Sequence, residues 1–167
     1  MFDQEIIARS QAIIDAASAR AIRIATAESC TGGLISSALT EIPGSSKVLD
    51  RAFITYSNNA KAEMLGVKVD RLMAFGAVSA EIATDMANGA VKHSDADIAI
   101  SVTGIAGPDG ATPQKPVGLV FMALASKRGT IEVKAYQFED YGRSAIRLGT
   151  VNTALQLILD QLPRFQP

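Results

Sequence analysis

The chain has 167 residues, with 16 Lys and Arg against 17 Asp and Glu for a net charge of -1; 48% of its residues are hydrophobic. A length and composition of this kind describe one globular domain that needs no disulfide or metal staple, and exclude a disordered chain or one that coats nucleic acid through bulk charge. One Cys and one His leave no disulfide and no Cys/His zinc cluster, and the absence of Trp beside three Tyr and six Phe leaves no stacking platform for single strands.

Helices and strands alternate along the chain. Ile6, Ser10, Ile13, Ile14 and Ala17 recur at helical spacing, with Asp3 as N-cap. Residues 21–27 are a short apolar run read as a strand, followed by Glu28-Ser29-Cys30-Thr31-Gly32-Gly33 and a helix from Leu34 to Leu39 that stops near Pro43-Gly44. A strand over Val48 to Tyr56 leads to a short helix capped by Asn58 and ending at Leu65. Ser79 caps a helix with Ile82, Met86 and Ala90 on one face. The clearest strand, 97–103, runs into a loop from Gly104 to Pro116 that holds three Gly and three Pro. A hairpin follows, with strands 118–126 and 130–138 around Lys127-Arg128-Gly129, and a helix from Arg143 or Ser144 closes the chain near Leu162. This order predicts an α/β fold, a three-layer α/β/α sandwich around a mixed, mostly parallel sheet, as a single domain over 1–167. The acidic start, Met1-Phe2-Asp3-Gln4-Glu5, has no signal-peptide pattern, no apolar run spans a bilayer, and 162–167 is not a lipidation signal. The expectation is a cytoplasmic protein with no membrane or nucleic-acid partner.

Four stretches carry candidate chemistry. In residues 26–34 a strand ends, turns and enters a helix, the place where open α/β sheets bind ligands. Free N–H groups at the helix start, with Gly32 and Gly33 allowing close approach, suit a phosphate or an oxyanion, and Ser29 stands as nucleophile. The same pattern fits an ordinary capping turn made by Ser29 or Thr31. Cys30 reads as a small buried hydrophobe. His93 is too isolated in sequence to be assigned as the base; a lysine kept neutral by burial or a nearby cation is one candidate. Tyr56-Ser57-Asn58-Asn59-Ala60-Lys61 supplies one: Lys61 falls in the first turn of a helix, where the dipole disfavours its charge. A solvated lysine beside a core tyrosine is the alternative. Residues 101–110 are a second strand entering a Gly-rich loop, where the Thr103 hydroxyl and loop amides suit a phosphate or ribose, or form only a connection. Arg143 and Arg147 share one face at a helix start and suit a phosphate, or are surface arginines with Glu139 or Asp140 as a partner.

Together these stretches resemble the C-terminal domain of the competence/damage-inducible CinA family, which also occurs as a stand-alone nicotinamide-nucleotide amidase. The similar segments are TAESCTGGLISSALTEIPGSS (26–46), ITYSNNAKAEMLGV (54–67), GAVSAEIATDMANGA (76–90), ADIAISVTGIAGPDG (96–110) and KPVGLVFMALA (115–125). The resemblance implies hydrolysis of nicotinamide mononucleotide to nicotinic acid mononucleotide and ammonia, with no cofactor and no metal. It implies Ser29 as nucleophile, Lys61 as base and Tyr56 as assistant. It also implies oxyanion or substrate contacts from Thr31, Gly32 and Gly33, and nucleotide contacts from Thr103, Gly104 and Arg143. Longer relatives carry an N-terminal molybdopterin-binding-like domain whose activity is not expected of this sequence. Where the family often reads Gly-Asp-Arg, this chain reads Tyr141-Gly142-Arg143. That departure keeps a second expectation open, a non-catalytic nucleotide-binding module of a competence or DNA-damage response. The hairpin edge and apolar helices point to a homo-oligomer.

Overall fold

Period-two alternation in the central strands decides which residues face which helical layer. In the computed structural model, which describes residues 2–165, strand β1 (Ile24–Glu28) sends Ile24 into one core and Ala25 and Ala27 into the other. Strand β3 (Ile98–Gly104) does the same with Ile98, Ile100 and Val102 against Ala99. Met1 and the last two residues read for targeting signals, Gln166 and Pro167, lie outside the described residues.

The described residues form one five-stranded sheet in the order β2-β1-β3-β4-β5. Strand β2 (Leu49–Ile54) and β3 flank β1 in parallel, and β4 (Leu119–Ser126) and β5 (Gly129–Gln137) extend the sheet antiparallel beyond β3. The sheet is therefore mixed, with β4 running against the other four strands. One face is covered by α1 (Gln4–Ala19), α2 (Leu34–Thr40) and α6 (Arg143–Gln161), packed on the Ile-rich side. The opposite face carries α3 (Asn58–Leu65), α4 (Val69–Phe75) and α5 (Ala80–Lys92). There the strands present Ala25, Ala27, Ala99, Ala123 and Ala125, so α5 settles close to the sheet. Gly89 of α5 lies so near the Leu65 carbonyl that a Cβ would overlap it.

Several boundaries differ from the sequence reading. The first strand starts at Ile24 because Ala21 turns the chain at φ 53°. Strand β2 stops at Ile54, and Ser57 rather than Asn58 caps α3, its hydroxyl accepting from the Ala60 N–H at 3.0 Å. Helix α4 has no counterpart in the sequence reading: it is seven residues long, buries only Leu72 and has no side-chain N-cap. What matters for function is register. Glu28, Ile54 and Val102 are direct neighbours across β1, β2 and β3, so the chain segments that follow these three strands gather at one end of the sheet.

Candidate active site

The turn after β1 is held by a buried anion. Glu28, the last residue of β1, is 0% exposed. Its carboxylate accepts hydrogen bonds from Thr26 Oγ1 (3.1 Å), Thr31 Oγ1 (2.7 Å), Gly33 N (3.0 Å), Ile35 N (3.0 Å) and Ser36 N (2.9 Å). Three amide donors at the start of α2 are thereby satisfied by the chain's own side chain, an arrangement the helix dipole also favours. Gly32 N donates to Ser29 O at 3.1 Å, and Gly32 and Gly33 take φ of 61° and 99°, the left-handed values that bend the turn back into α2. Thr31, Gly32 and Gly33, expected as oxyanion or substrate contacts, all lie within this turn. The Thr31 hydroxyl and the Gly33 amide are bound to Glu28, and the Gly32 amide to Ser29 O, so these groups build the turn. Cys30, by contrast, lines the cavity next to Ser29, and its N–H donates to no carbonyl among the described residues.

From the opposite side a cation holds the same turn. Arg147 Nε donates to Cys30 O at 3.1 Å and Arg147 Nη2 to Thr31 O at 2.8 Å. Arg147, read from the sequence as a phosphate ligand or a surface arginine, makes these two contacts with the turn and does not line the cavity next to Ser29. Sequence reasoning missed the part played by Glu28. The available signal was an acid placed last in an apolar strand, directly before a helix that has no side-chain N-cap of its own.

Lys61 completes the centre. It lies in the first turn of α3, is 1% exposed, and directs Nζ to Ser29 Oγ at 3.0 Å, Thr55 O at 2.8 Å and Tyr56 O at 3.4 Å. Burial pushes its ammonium down from 10.5 to about 8. Burial pushes the neighbouring Cys30 thiol up to about 11, so it is a thiol and not a thiolate at neutral pH. Of the two adjacent candidates, Ser29 alone is hydrogen-bonded to Lys61.

A cavity of about 300 Å³ opens beside this pair, near the lower end of the range for small-molecule sites. Ser29, Lys61, Thr103, Gly104, Tyr56 and Arg143 all line it. The Thr103 hydroxyl donates to Ala77 O at 2.8 Å, so it fixes the approach to α5 and leaves only its lone pairs for a ligand. Gly104 is required by the sheet: a Cβ would sit 2.6 Å from Val120 Cγ2 and 2.7 Å from Leu119 O. Arg143 bridges the rim, with Nη1 donating to Gly107 O at 2.8 Å and Nη2 to the Tyr56 hydroxyl at 3.0 Å. Tyr56 is 61% exposed. Its carbonyl meets Lys61 Nζ while its phenol meets Arg143. His93 sits at the C-terminal end of α5 and takes no part in the cavity. Among the described residues, no three His, Cys, Asp or Glu side chains gather as a metal-ligand set. No helix among them is long and apolar enough to cross a membrane.

The model of the CinA C-terminal domain matches residues 7–162. The chain belongs to the CinA C-terminal domain family. Within that family it is 44% identical over 161 residues to a protein named nicotinamide-nucleotide amidohydrolase PncC from Escherichia coli K12, covering 96% of this chain and 97% of that protein. It is 51% identical over 140 residues to a CinA-like protein from Endomicrobium trichonymphae, covering 83% of this chain and 32% of that one. The chain thus spans about a third of the length of several curated relatives and nearly all of others. The crystal structure of the competence/damage inducible protein CihA from Agrobacterium tumefaciens superposes with a TM-score of 0.94 at 48% identity, covering 98% of both chains.

Proposed function

We propose that the protein is a nicotinamide-nucleotide amidase that hydrolyses nicotinamide mononucleotide to nicotinic acid mononucleotide and ammonia through an acyl-enzyme on Ser29. The observation that carries this reading is the 3.0 Å hydrogen bond between Ser29 Oγ and a buried lysine whose ammonium is weakened to about 8. Near-complete coverage of relatives named for the same amidohydrolase activity supports it. As a neutral amine, Lys61 donates its N–H groups to the Thr55 and Tyr56 carbonyls and turns its lone pair to the serine hydroxyl. It takes the Ser29 proton as Oγ attacks the carboxamide carbon. The negative charge that develops on the amide oxygen is met by backbone N–H, and this reading assigns that of Cys30, a residue that lines the cavity beside Ser29. The Lys61 ammonium then protonates the departing nitrogen, and ammonia leaves. Water enters, Lys61 takes a proton from it as it attacks the ester, and the Lys61 ammonium returns that proton to Ser29 Oγ as the nicotinic acid product is released. Arg143 receives the phosphate at the rim, exchanging the Tyr56 hydroxyl for a charged partner, while Thr103 and Gly104 form the wall against which the nucleotide lies.

Ammonia release from nicotinamide mononucleotide, measured with EDTA present for wild type and Ser29→Ala, tests this. Wild-type release with a loss of at least about a thousandfold in Ser29→Ala is the expected result. Retained activity in Ser29→Ala removes the nucleophile assignment. Binding of the nucleotide with no turnover by wild type returns the protein to the nucleotide-binding module.

A further inference from the structure

We propose that Arg147 is a positioning residue for the amide hydrolysis, acting through the peptide groups of the nucleophile turn on the Cys30 N–H. The inference rests on the amidase reading above. A trans peptide points its C=O and N–H in opposite directions, so fixing one fixes the other. Arg147 Nη2 holds the Thr31 carbonyl at 2.8 Å, which turns the N–H of the same peptide group, that of Gly32, the other way. There it donates to Ser29 O at 3.1 Å. Ser29 O belongs to the peptide group that carries the Cys30 N–H, so that N–H points opposite to the Ser29 carbonyl, and both residues line the cavity. The second arm of the guanidinium, Nε on Cys30 O at 3.1 Å, stops the intervening peptide group from rotating.

The same chain of groups polarises. A full positive charge on the Thr31 carbonyl strengthens the Gly32 N–H as a donor, which draws on Ser29 O and strengthens the Cys30 N–H in turn. Arg147 therefore assists where charge develops in the transition state without touching the substrate. It plays no part in setting the lysine: the Lys61 shift comes from burial, and Cys30 opposes it. Two-point contact with two carbonyls needs the planar fork of arginine, and lysine carries the charge without that geometry. Glu28 completes the device from the other side, gathering N–H groups while Arg147 gathers C=O groups, so the turn between them is held at both poles of its peptides.

Steady-state ammonia release from nicotinamide mononucleotide separates this role from a merely structural one. Arg147→Ala is expected to lower kcat by about tenfold to a hundredfold, short of the loss on deleting an oxyanion donor outright, while KM stays within about twofold. Its pH–rate midpoint is expected to stay at the wild-type value. Guanidinium chloride at low millimolar concentration, well below denaturing levels, is expected to restore part of kcat in Arg147→Ala and none in Ser29→Ala. Arg147→Lys, which keeps the charge and guards against a folding failure in the alanine variant, is expected to recover only a minor part of the loss. A kcat for Arg147→Ala within about twofold of wild type overturns the inference. So does a loss confined to KM, or one that guanidinium leaves unchanged in a variant whose melting temperature matches wild type. Wild-type protein that releases no ammonia overturns the amidase reading and this inference with it, whereas an active wild type beside an unimpaired Arg147→Ala overturns the inference alone.

Discussion

Replacing Lys61 with Met is expected to abolish activity and stabilise the fold at the same time. The lysine is 1% exposed, and its ammonium is held near 8 against an ordinary 10.5. That difference corresponds to a cost of about 3 kcal/mol for keeping the charge inside the folded protein. Methionine matches the length of the aliphatic stem and carries no charge, but it leaves the Thr55 carbonyl without its 2.8 Å donor, a loss of about 1 kcal/mol. A net gain of about 2 kcal/mol at pH 7 follows. Its pH dependence fixes the cause. Below about 8 both folded and unfolded wild type bind the proton, so the cost is fully present. Between about 8 and 10.5 only the unfolded chain stays protonated, so wild-type stability rises with pH and the advantage of the variant shrinks. Urea melts of both proteins at pH 7 and pH 10, run beside ammonia release, measure the two effects together. A variant less stable than wild type at pH 7, or a gain equal at both pH values, refutes burial of the charge as the origin of the shift. Activity within about tenfold of wild type refutes Lys61 as the base.

The remaining predictions address the groups around this pair. The rate constant kcat/KM is expected to rise nearly tenfold per pH unit below about 8 and to level off above it, as Lys61 becomes the neutral amine; a flat profile from pH 6 to 9 contradicts the assignment. Glu28→Gln is expected to destabilise by about 2–3 kcal/mol in urea, because whichever way the amide turns, its NH₂ faces at least one backbone N–H, that of Ser36 in the better orientation. A melt within about 0.5 kcal/mol of wild type shows that the turn does not depend on that anion. Tyr56→Phe is expected to act mainly through KM for nicotinamide mononucleotide, because its phenol pairs with Arg143 at 3.0 Å and not with Lys61 or Ser29; a loss confined to kcat would place the hydroxyl in the chemistry instead.

Much of the fold was legible because its signals are local. The apolar run at 97–103, the Ser79 cap and the Lys127-Arg128-Gly129 hairpin turn each identify an element within a few residues, and the structure has them within a residue or two. Helix α4 was illegible for the same reason inverted: with Leu72 its single buried residue, it has no apolar stripe to read. The reacting residues were named through family motifs, since nothing in a strand–turn–helix pattern separates a nucleophile from a cap. The partners of the turn lie beyond any local reading. Arg147 is 117 residues from the Cys30 carbonyl it holds. Glu28 is close in sequence to the amides it binds, yet an acid at a strand end reads as exposed until the sheet and α2 enclose it.

The reactive pair is therefore a product of tertiary docking. Ser29 comes from the turn after β1 and Lys61 from the start of α3, 32 residues on, and they meet because β1 and β2 are parallel with Glu28 beside Ile54. Parallel pairing puts the ends of both strands on one side, and an antiparallel neighbour would have sent them to opposite ends of the sheet. The mixed sheet uses both arrangements. Its parallel half, β2-β1-β3, brings three strand ends to the cavity, while β4 returns antiparallel along β3 so closely that only a glycine fits at 104. Dryness then does the chemical tuning. The Lys61 ammonium is held near 8 because α3 and the segments around the turn exclude water from it, so any loosening that admits water is expected to return it toward 10.5 and to remove the proposed base while the fold survives. Activity in this fold is thus expected to be more fragile than structure, and the buried charge that costs stability at pH 7 is the same charge state that must be lost for the reaction to begin.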